Sequence, residues 1–184
     1  MLAPVLDPEQ PGWIFSEPSH IGVICEDIEK TMAEYERLGY TFAFRSGSVT
    51  LRRPGLGPQE EFTARSAWSL QGPPHIELGE VAGLGGLPHI WPPRGHDHVD
   101  HVGYWVDDLA AASARLEELG YPLEMTPAGD ETRPLGFCYH RTPSGARIEL
   151  EDGPMRKRIL AEQFERVRRG ETGVQAYRPF VEAS

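Results

Sequence analysis

The sequence predicts an α+β fold in which two copies of a strand–helix–strand–strand–strand unit pair with each other. Residues 20–40 and 101–121 align without a gap at a constant offset, and a second match joins residues 75–78 to residues 147–150. Each copy opens with an apolar run typical of a strand and continues with apolar residues at helical spacing. The repeated order of elements indicates a duplicated module.

Identity between the two copies exceeds chance. Average composition gives about one or two identical pairs over a window of this length, whereas this alignment contains many more. They are His20/His101, Gly22/Gly103, Asp27/Asp108, Ala33/Ala114, Glu36/Glu117, Leu38/Leu119, Gly39/Gly120 and Tyr40/Tyr121. In the second match, His-Ile-Glu-Leu pairs with Arg-Ile-Glu-Leu. Two histidines and two glutamates therefore come to equivalent places, and if they converge on one cleft they can hold a divalent metal.

The first copy begins with a strand and a capped helix. Asp27 is the expected N-cap and Gly39 the expected C-terminal stop of that helix. The apolar face of the helix consists of Ile28, Met32, Tyr35 and Leu38. The predicted strands are 18–26, 41–52, which Gly47 is expected to interrupt, 61–71 and 74–81.

The second copy repeats this order. Asp108 is expected to cap a helix that Gly120 ends, and its apolar residues are Leu109, Leu116 and Leu119. The predicted strands are 99–106, 121–126, 134–141 and 146–151. A further helix is predicted at 155–169, with an apolar stripe formed by Met155, Ile159, Leu160, Phe164 and Val167.

The chain is predicted to divide at its Gly- and Pro-rich stretches. The expected parts are an N-terminal arm at 1–17, a first module at 18–82, a linker at 83–98, a second module at 99–152, and a C-terminal helix and tail at 153–184. The C-terminal helix is expected to act as a lid, to pack on the second module or to contact a dimer partner. The tail after it is predicted to be extended or disordered.

Composition narrows the classes of function. The formal net charge of −10 argues against a nucleic-acid partner, which would require a basic surface. No run approaches the roughly 18 apolar residues of a membrane span, and the N-terminus lacks the pattern of a signal peptide. The two cysteines, Cys25 and Cys138, lie in separate strand-like runs and are predicted to be buried free thiols. We therefore expect a soluble cytoplasmic protein.

Strand alternation places the repeated histidines and glutamates on definite faces. His20 shares a face with Gly22, and His101 shares a face with Gly103. Glu77 near the end of the first copy and Glu149 near the end of the second copy occupy matched positions. Because a carboxylate buried in a sheet is costly unless it is paired or bound to a metal, the repeated pair indicates a metal site.

With histidine on the first strand and glutamate on the last strand of each copy, the chain resembles the vicinal oxygen chelate superfamily, which is the glyoxalase, bleomycin-resistance and extradiol-dioxygenase group. The stretches VDHVGYWVDDLAAASARLEELGY and GFCYHRTPSGARIELED look particularly similar to its members. The resemblance covers about residues 18–152. It implies two paired βαβββ modules that form a curved mixed sheet around a metal cleft. It also implies one divalent ion, of Zn, Ni, Co, Mn or Fe, held by His20, Glu77, His101 and Glu149.

The same resemblance suggests an activity. The four ligands look like those of glyoxalase I-like members, and like those of methylmalonyl-CoA epimerase-like members except that the position of Glu77 is typically an amide there. We therefore expect a metal-dependent isomerase, epimerase or lyase. It would chelate two neighbouring oxygens of a small substrate and transfer a proton through an enolate-like intermediate. The catalytic base would be Glu149 or Glu77.

Three alternatives stay open. The subset His20, His101 and Glu149 also resembles the ligands of an Fe(II)-dependent extradiol dioxygenase. A drug-binding resistance protein would need no metal-binding side chains, and the intact set of four counts against this alternative. A purely structural module would have neither metal nor cleft. The assembly is expected to be a homodimer.

Several other residues carry weaker expectations. His75 is expected to be exposed to solvent at the strand mouth, and the alternative is that it replaces or supports Glu77. His140 is expected either to line the cleft or to face solvent. Arg147 and Glu151 are expected either to bind an anionic substrate group or to form a surface pair. Tyr104 and Trp105 are expected in the core. The histidines of the linker, which are expected in a polar loop rather than a metal cluster, are His89, His96 and His98.

Overall fold

The computed structural model describes residues 15, 17–53, 60–80, 90–92, 94–130, 132–171 and 175–176. Within these ranges the order strand–helix–three strands occurs twice and is followed by a helix. The first copy consists of β1 (Glu17–Cys25), α1 (Ile28–Glu36), β2 (Phe42–Arg52), β3 (Glu60–Ser69) and β4 (His75–Glu80). The second consists of β5 (His98–Val106), α2 (Leu109–Glu118), β6 (Leu123–Pro127), β7 (Phe137–Arg141) and β8 (Arg147–Asp152). The elements after it are α3 (Gly153–Arg168) and β9 (Gln175–Ala176).

The strands form one curved mixed sheet, which confirms the predicted α+β fold. The order across the sheet is β3-β4-β1-β5-β8-β7-β6-β2-β9. The two copies meet where β1 and β5 run antiparallel, and each of these strands has the last strand of its own copy as a parallel neighbour on its other side. Because β2 pairs with β6 as well as with β3, the sheet also closes on itself at its far end.

The predicted caps of both repeated helices are present. The Asp27 side chain accepts a hydrogen bond from the Lys30 amide, and the Asp108 side chain accepts one from Ala111. Gly39 and Gly120 follow the helices with φ of +95° and +84°, a backbone conformation that costs glycine little.

The apolar faces of both helices are shorter than predicted. Leu38 and Leu119 lie beyond the last helical residue and are 75% and 50% exposed. The predicted stripes were therefore wrong at their C-terminal ends. A periodic pattern continues in sequence past the glycine-terminated turn, where the backbone no longer keeps the helical geometry.

Other predicted boundaries shift by a few residues. Strand β2 passes through Gly47 without a break, because Gly47 pairs with Ala64 in an uninterrupted register with β3. Helix α3 starts at Gly153 rather than at residue 155, since the Asp152 side chain accepts a hydrogen bond from the Met155 amide and caps it.

Helices α1 and α2 cover the face of the sheet opposite the predicted ligands, whereas α3 packs against the face that carries them. Helix α1 packs on a cluster that includes buried Cys25, and α2 packs on one that includes buried Cys138. Both cysteines are free, as predicted. Helix α3 packs on its own chain through Leu160 and Phe164. No helix among the described residues is long and apolar enough to cross a membrane.

Candidate metal centre

Four adjacent strands at the centre of the sheet each contribute one of the predicted ligand side chains. His20 lies on β1 and His101 on β5, while Glu77 and Glu149 lie on β4 and β8. The strand order β4-β1-β5-β8 brings the four together within one chain. The cleft therefore forms within one chain and needs no second chain. The homodimer stays a prediction.

The register of β1 and β5 places each histidine opposite a glycine of the other copy. His20 pairs with Gly103, and Gly22 pairs with His101. A Cβ atom added to Gly22 would lie 2.0 Å from the His101 ring, and one added to Gly103 would lie 2.0 Å from the His20 ring. The repeated glycines therefore provide the space in which the two imidazoles meet.

The four donor atoms converge on one point. His20 Nε2 lies 3.0 Å from His101 Nε2 and 3.0 Å from Glu149 Oε2. His101 Nε2 lies 2.9 Å from Glu149 Oε2. Glu77 Oε2 is 3.1 Å from His20 Nε2 and 3.6 Å from His101 Nε2. This is the only group of its kind within the described ranges, and all its donor atoms lie within 4.8 Å of one another.

These spacings fit a divalent ion. Imidazole nitrogens and carboxylate oxygens bind Zn²⁺ at about 2.0–2.2 Å, so two ligands of one ion lie no more than about 4 Å apart. The separations between each imidazole and its neighbouring donors meet this limit. Two nitrogens with two carboxylate oxygens are also a donor set that suits Zn, Ni, Mn or Fe. That the group binds a metal stays a prediction.

The remaining nitrogen of each imidazole contacts a polar partner. The Nδ1–H of His101 donates to Asp100 Oδ2 at 3.0 Å. His20 Nδ1 lies 2.8 Å from Ser19 Oγ and 3.4 Å from Glu151 Oε2. An Nδ1–H held in this way fixes the tautomer that leaves the Nε2 lone pair for a metal.

The two glutamates are held differently. The Trp68 indole N–H donates to Glu77 Oε1 at 2.8 Å, which leaves Oε2 directed at the imidazoles. The hydrogen bonds that the described residues give Glu149 all involve Oε2 and the two imidazoles. Glu77 is therefore anchored to the sheet, whereas the second oxygen of Glu149 is not.

The electrostatics of the site favour charged imidazoles when only protons are present. Burial lowers the pKa of His20, but the charge of Glu77 and a hydrogen bond to Glu149 outweigh it and hold that pKa well above its usual value. Burial also lowers the pKa of His101, while hydrogen bonds to Asp100 and Glu149 raise it to about 10.

The carboxylates shift in the opposite direction. Burial raises the pKa of Glu149, but hydrogen bonds from His101 and His20 lower it to about 2. Burial likewise raises the pKa of Glu77, while the charge of His20 holds the net pKa well below its usual value. The site therefore stabilises positive charge between two carboxylates, which either a proton or a cation can supply.

A cavity with an empty volume of about 660 Å³, part of it open to solvent, leads to this cluster. Glu77, His101 and Glu149 stand at its polar end. Its other walls are mainly apolar, although Arg45, Arg65, Ser66 and Arg156 also line it. The apolar residues that line it include Ile24, Val49, Leu51, Trp91, Phe137 and Tyr139. A concave site with mainly apolar walls and a few convergent polar groups is typical of a site for a small molecule.

The prediction for His75 was wrong. It is buried, and its Nδ1–H lies 2.8 Å from the Ser69 carbonyl and 3.1 Å from the Gln71 carbonyl. Its ring packs against Phe164 of α3. The turn before β4 and the docked helix α3 cover the strand end that was expected to be open.

His140 neither lines the cleft nor faces solvent. It is fully buried under α2, where Nδ1–H donates to the Tyr121 carbonyl and Nε2 accepts from the Ser113 hydroxyl. Both predicted alternatives were wrong because β7 turns this residue toward the helix rather than toward the cavity.

Arg147 and Glu151 form buried ion pairs rather than a substrate site or a surface pair. Arg147 Nη1 lies 2.7 Å from Asp100 Oδ2, and its Nε lies 2.8 Å from Glu124 Oε2. Glu151 Oε1 lies 2.5 Å from Arg156 Nε on α3. Both predicted roles were therefore wrong.

The remaining residues lie apart from the centre. Trp105 is buried, as predicted, and Tyr104 packs against the core around α2. His96 is exposed, and His98 opens β5 without joining a metal-ligating group of described residues. His89 lies outside the described residues.

Sequence reasoning missed the side chains that surround the four predicted ligands. Asp100 precedes His101 directly, but simple alternation assigns neighbouring residues to opposite faces, and the irregular register of β1 and β5 is not visible in sequence. Trp68 and Arg156 lie outside both matched segments. Only the adjacency of Asp100 and His101 gave a usable signal.

Comparisons with known proteins place the fold. A family model described as the glyoxalase/bleomycin resistance protein/dioxygenase superfamily matches residues 19–139. Methylmalonyl-CoA epimerase from Mycobacterium tuberculosis is 19% identical with a TM-score of 0.51, over 83% of this chain and 92% of that chain. No curated protein matches the chain.

Two further solved structures share the fold. A hypothetical protein from Bacillus halodurans C-125 is 17% identical with a TM-score of 0.52, over 74% of this chain and 93% of that chain. A variant of Streptomyces coelicolor methylmalonyl-CoA epimerase in complex with 2-nitronate-propionyl-CoA is 18% identical with a TM-score of 0.51, over 76% of this chain and 98% of that chain. At these identities the likeness concerns the fold alone.

Proposed function

Because this chain belongs to the glyoxalase/bleomycin resistance protein/dioxygenase superfamily, we propose that it is a metal-dependent isomerase, epimerase or lyase. Its substrate would be a small molecule with two neighbouring oxygens. The observation that carries the proposal is the convergence of two imidazole nitrogens and two carboxylate oxygens at the end of a mainly apolar cavity. The methylmalonyl-CoA epimerases that share the fold support a reaction that moves a proton.

His20, Glu77, His101 and Glu149 would hold one ion of Zn, Ni, Co, Mn or Fe. Such an ion supplies Lewis acidity, which stabilises the negative charge that develops on a substrate carbonyl oxygen when the adjacent carbon loses a proton. A 2-hydroxy ketone or an acyl thioester with a β-carbonyl has the required pair of oxygens.

We propose Glu149 as the base. Glu77 is fixed by the Trp68 indole, whereas hydrogen bonds from described residues reach only one oxygen of Glu149. The other oxygen can take the proton from the carbon next to the carbonyl and return it to the neighbouring carbon, whereas an epimerisation would need a separate acid to protonate the same carbon on its opposite face. Glu77 would then act mainly as a ligand.

The cavity walls would serve the same reaction by excluding water. Trp91, Phe137 and Tyr139 line the cavity that leads to the polar cluster. An apolar enclosure strengthens the interaction of a carboxylate with a reacting C–H group, because fewer water molecules compete for the base.

The first test is elemental analysis of the purified protein. Wild type should carry about one divalent ion per chain, and His101→Ala should lose it, since removing one of four ligands weakens binding steeply. His96→Ala, which changes an exposed imidazole, is the matched control and should retain the ion. Full retention of metal by His101→Ala would remove the site assignment.

The second test separates proton transfer from oxygen chemistry. His20 Nε2, His101 Nε2 and Glu149 Oε2 lie within 3.0 Å of one another. Two histidines and one carboxylate also suit the iron site of an Fe(II) dioxygenase. Metal-loaded protein is incubated in D₂O without oxygen, together with a panel of 2-hydroxy ketones and β-carbonyl thioesters. We expect deuterium at the carbon next to the carbonyl, and none with Glu149→Gln. Absence of exchange, with oxygen consumed on a catechol by Fe(II)-loaded protein, would favour the dioxygenase.

A further inference from the structure

We propose that helix α3 completes the metal centre, with Arg156 holding the buried carboxylate of Glu151 against the ligand His20. In this role Arg156 and Glu151 are positioning residues. They do for His20 what Arg147 and Asp100 do for His101. The inference rests on the proposed function, since it concerns the same metal centre.

The arrangement behind His101 shows what such support consists of. The Nδ1–H of His101 donates to Asp100 Oδ2 at 3.0 Å. Arg147 Nη1 in turn donates to both Asp100 oxygens, at 2.8 and 2.7 Å. The carboxylate fixes the imidazole and the guanidinium fixes the carboxylate, so Nε2 is directed at the centre.

The duplicated position behind His20 lacks that carboxylate. The residue before His20 is Ser19, whereas the residue before His101 is Asp100. The Ser19 hydroxyl lies 2.8 Å from His20 Nδ1, but it brings no charge. A negative charge reaches His20 from the second copy instead, because Glu151 Oε2 lies 3.4 Å from Nδ1.

Glu151 is fully buried, and its described contacts are ionic. Its Oε1 lies 2.5 Å from Arg156 Nε, and neither carboxylate oxygen has the geometry of a hydrogen bond. A buried carboxylate of this kind is costly unless a cation stands beside it. Arg156 is that cation, and it lies in the first turn of α3, outside the duplicated segments.

Arg156 also lies close to the support of a second ligand. Its guanidinium stands 5.4 Å from the centre of the Trp68 ring, and the Trp68 indole donates to Glu77. The position in β4 that matches Glu151 is Gly79, which has no side chain to offer. The support of His20 therefore depends on α3, whereas the support of His101 lies within the second copy.

The experiment measures Co²⁺ affinity of the full chain by competition with a chelator, together with the visible spectrum of the Co²⁺-loaded protein. The key variant is Glu151→Gln/Arg156→Met, which removes both charges of this ion pair at once. Glu151→Gln alone provides the same reading if the double variant does not fold. The matched control is Arg158→Met/Glu162→Gln, an exposed pair on the same helix.

We expect the double variant to bind Co²⁺ about 10–100-fold more weakly, as is typical when a partner of a metal-bound histidine is lost. Its Co²⁺ spectrum should also change, while the thermal unfolding of the metal-free form shows that the fold persists. Asp100→Asn/Arg147→Met should weaken binding similarly, and the control pair should not. A folded double variant with wild-type affinity and spectrum would overturn this inference alone. Failure of wild type to bind Co²⁺ or Zn²⁺ would overturn the proposed function as well.

Discussion

Gly22 and Gly103 determine how closely the two histidines approach each other. A methyl group at either position would overlap the imidazole of the other copy, at 2.0 Å from the nearest ring atom. The backbone on both sides is held by the pairing of β1 with β5. The ring is the softer partner, so a substitution here would displace a ligand before it disrupts the sheet.

We therefore expect Gly22→Ala and Gly103→Ala to fold but to lose most of their metal affinity. The displaced imidazole no longer directs Nε2 at the other donors. Gly79→Ala is the control, because a Cβ there would meet only Ile24 Cδ1 at 3.4 Å. Calorimetric titration with Zn²⁺ tests this, and wild-type affinity in Gly22→Ala would contradict it.

His140 makes stability depend on pH away from the metal centre. Burial lowers its pKa, and the hydrogen bond to the Tyr121 carbonyl offsets this only in part. Its Nε2 accepts from the Ser113 hydroxyl and cannot do so once protonated. The unfolded chain therefore takes up a proton near pH 6.5 that the folded chain resists.

The stability contributed by neutral His140 is complete above pH 6.5 and is lost as pH falls from there toward the lower folded-state pKa. We expect the difference in unfolding free energy between wild type and His140→Gln to shrink by up to about 1.4 kcal/mol per pH unit in that window. Urea unfolding of metal-free protein between pH 7.5 and 5.5 measures it, with His96→Gln as the control. A difference that stays constant over this range would refute the account.

At the scale of elements, the repeated helices show what a sequence pattern predicts well. The N-caps Asp27 and Asp108 and the terminal glycines were identified correctly because each acts through its own side chain or backbone within one turn. Leu38 was assigned incorrectly, because burial depends on where the sheet lies and a local pattern does not contain that information.

The helix ends provide a matched pair of substitutions. Leu116 of α2 points into the core and is 2% exposed, whereas Leu119, about one turn later, is 50% exposed. Leu116→Ala should lower the unfolding free energy by about 2–5 kcal/mol, since it leaves a cavity. Leu119→Ala should lower it by less than about 0.5 kcal/mol. Chemical denaturation of both variants measures this, and equal losses would mean that the predicted apolar face is correct after all.

At the scale of the whole molecule, the sequence predicts what repeats and fails where the two copies differ. The convergence of His20, Glu77, His101 and Glu149 could be predicted because both copies carry the same histidine and glutamate positions. Asp100 and Glu151, which lie beside the two imidazoles, come from positions that do not correspond between the copies. No internal match marks them. Arg156 was hidden for the same reason, because α3 has no counterpart in the first copy.

The arrangement of the proposed ligands would also connect the two copies energetically. His20 and Glu77 belong to the first copy and His101 and Glu149 to the second, so an ion bound by all four opposes any opening between β1 and β5. At a metal concentration of about 100 times Kd, the gain in unfolding free energy is about 2.7 kcal/mol. That gain should be distributed over both copies.

Hydrogen exchange followed by mass spectrometry tests this coupling. On addition of Zn²⁺, the amides of β4, β1, β5 and β8 should all exchange more slowly, and the slowest amides by up to about 100-fold. His101→Ala should show no change in either copy, although three of the four donors remain. Slower exchange in the strands of one copy alone would mean that the ion is bound within that copy. The pairing of β1 with β5 would then shape the cleft without being stabilised by its occupant.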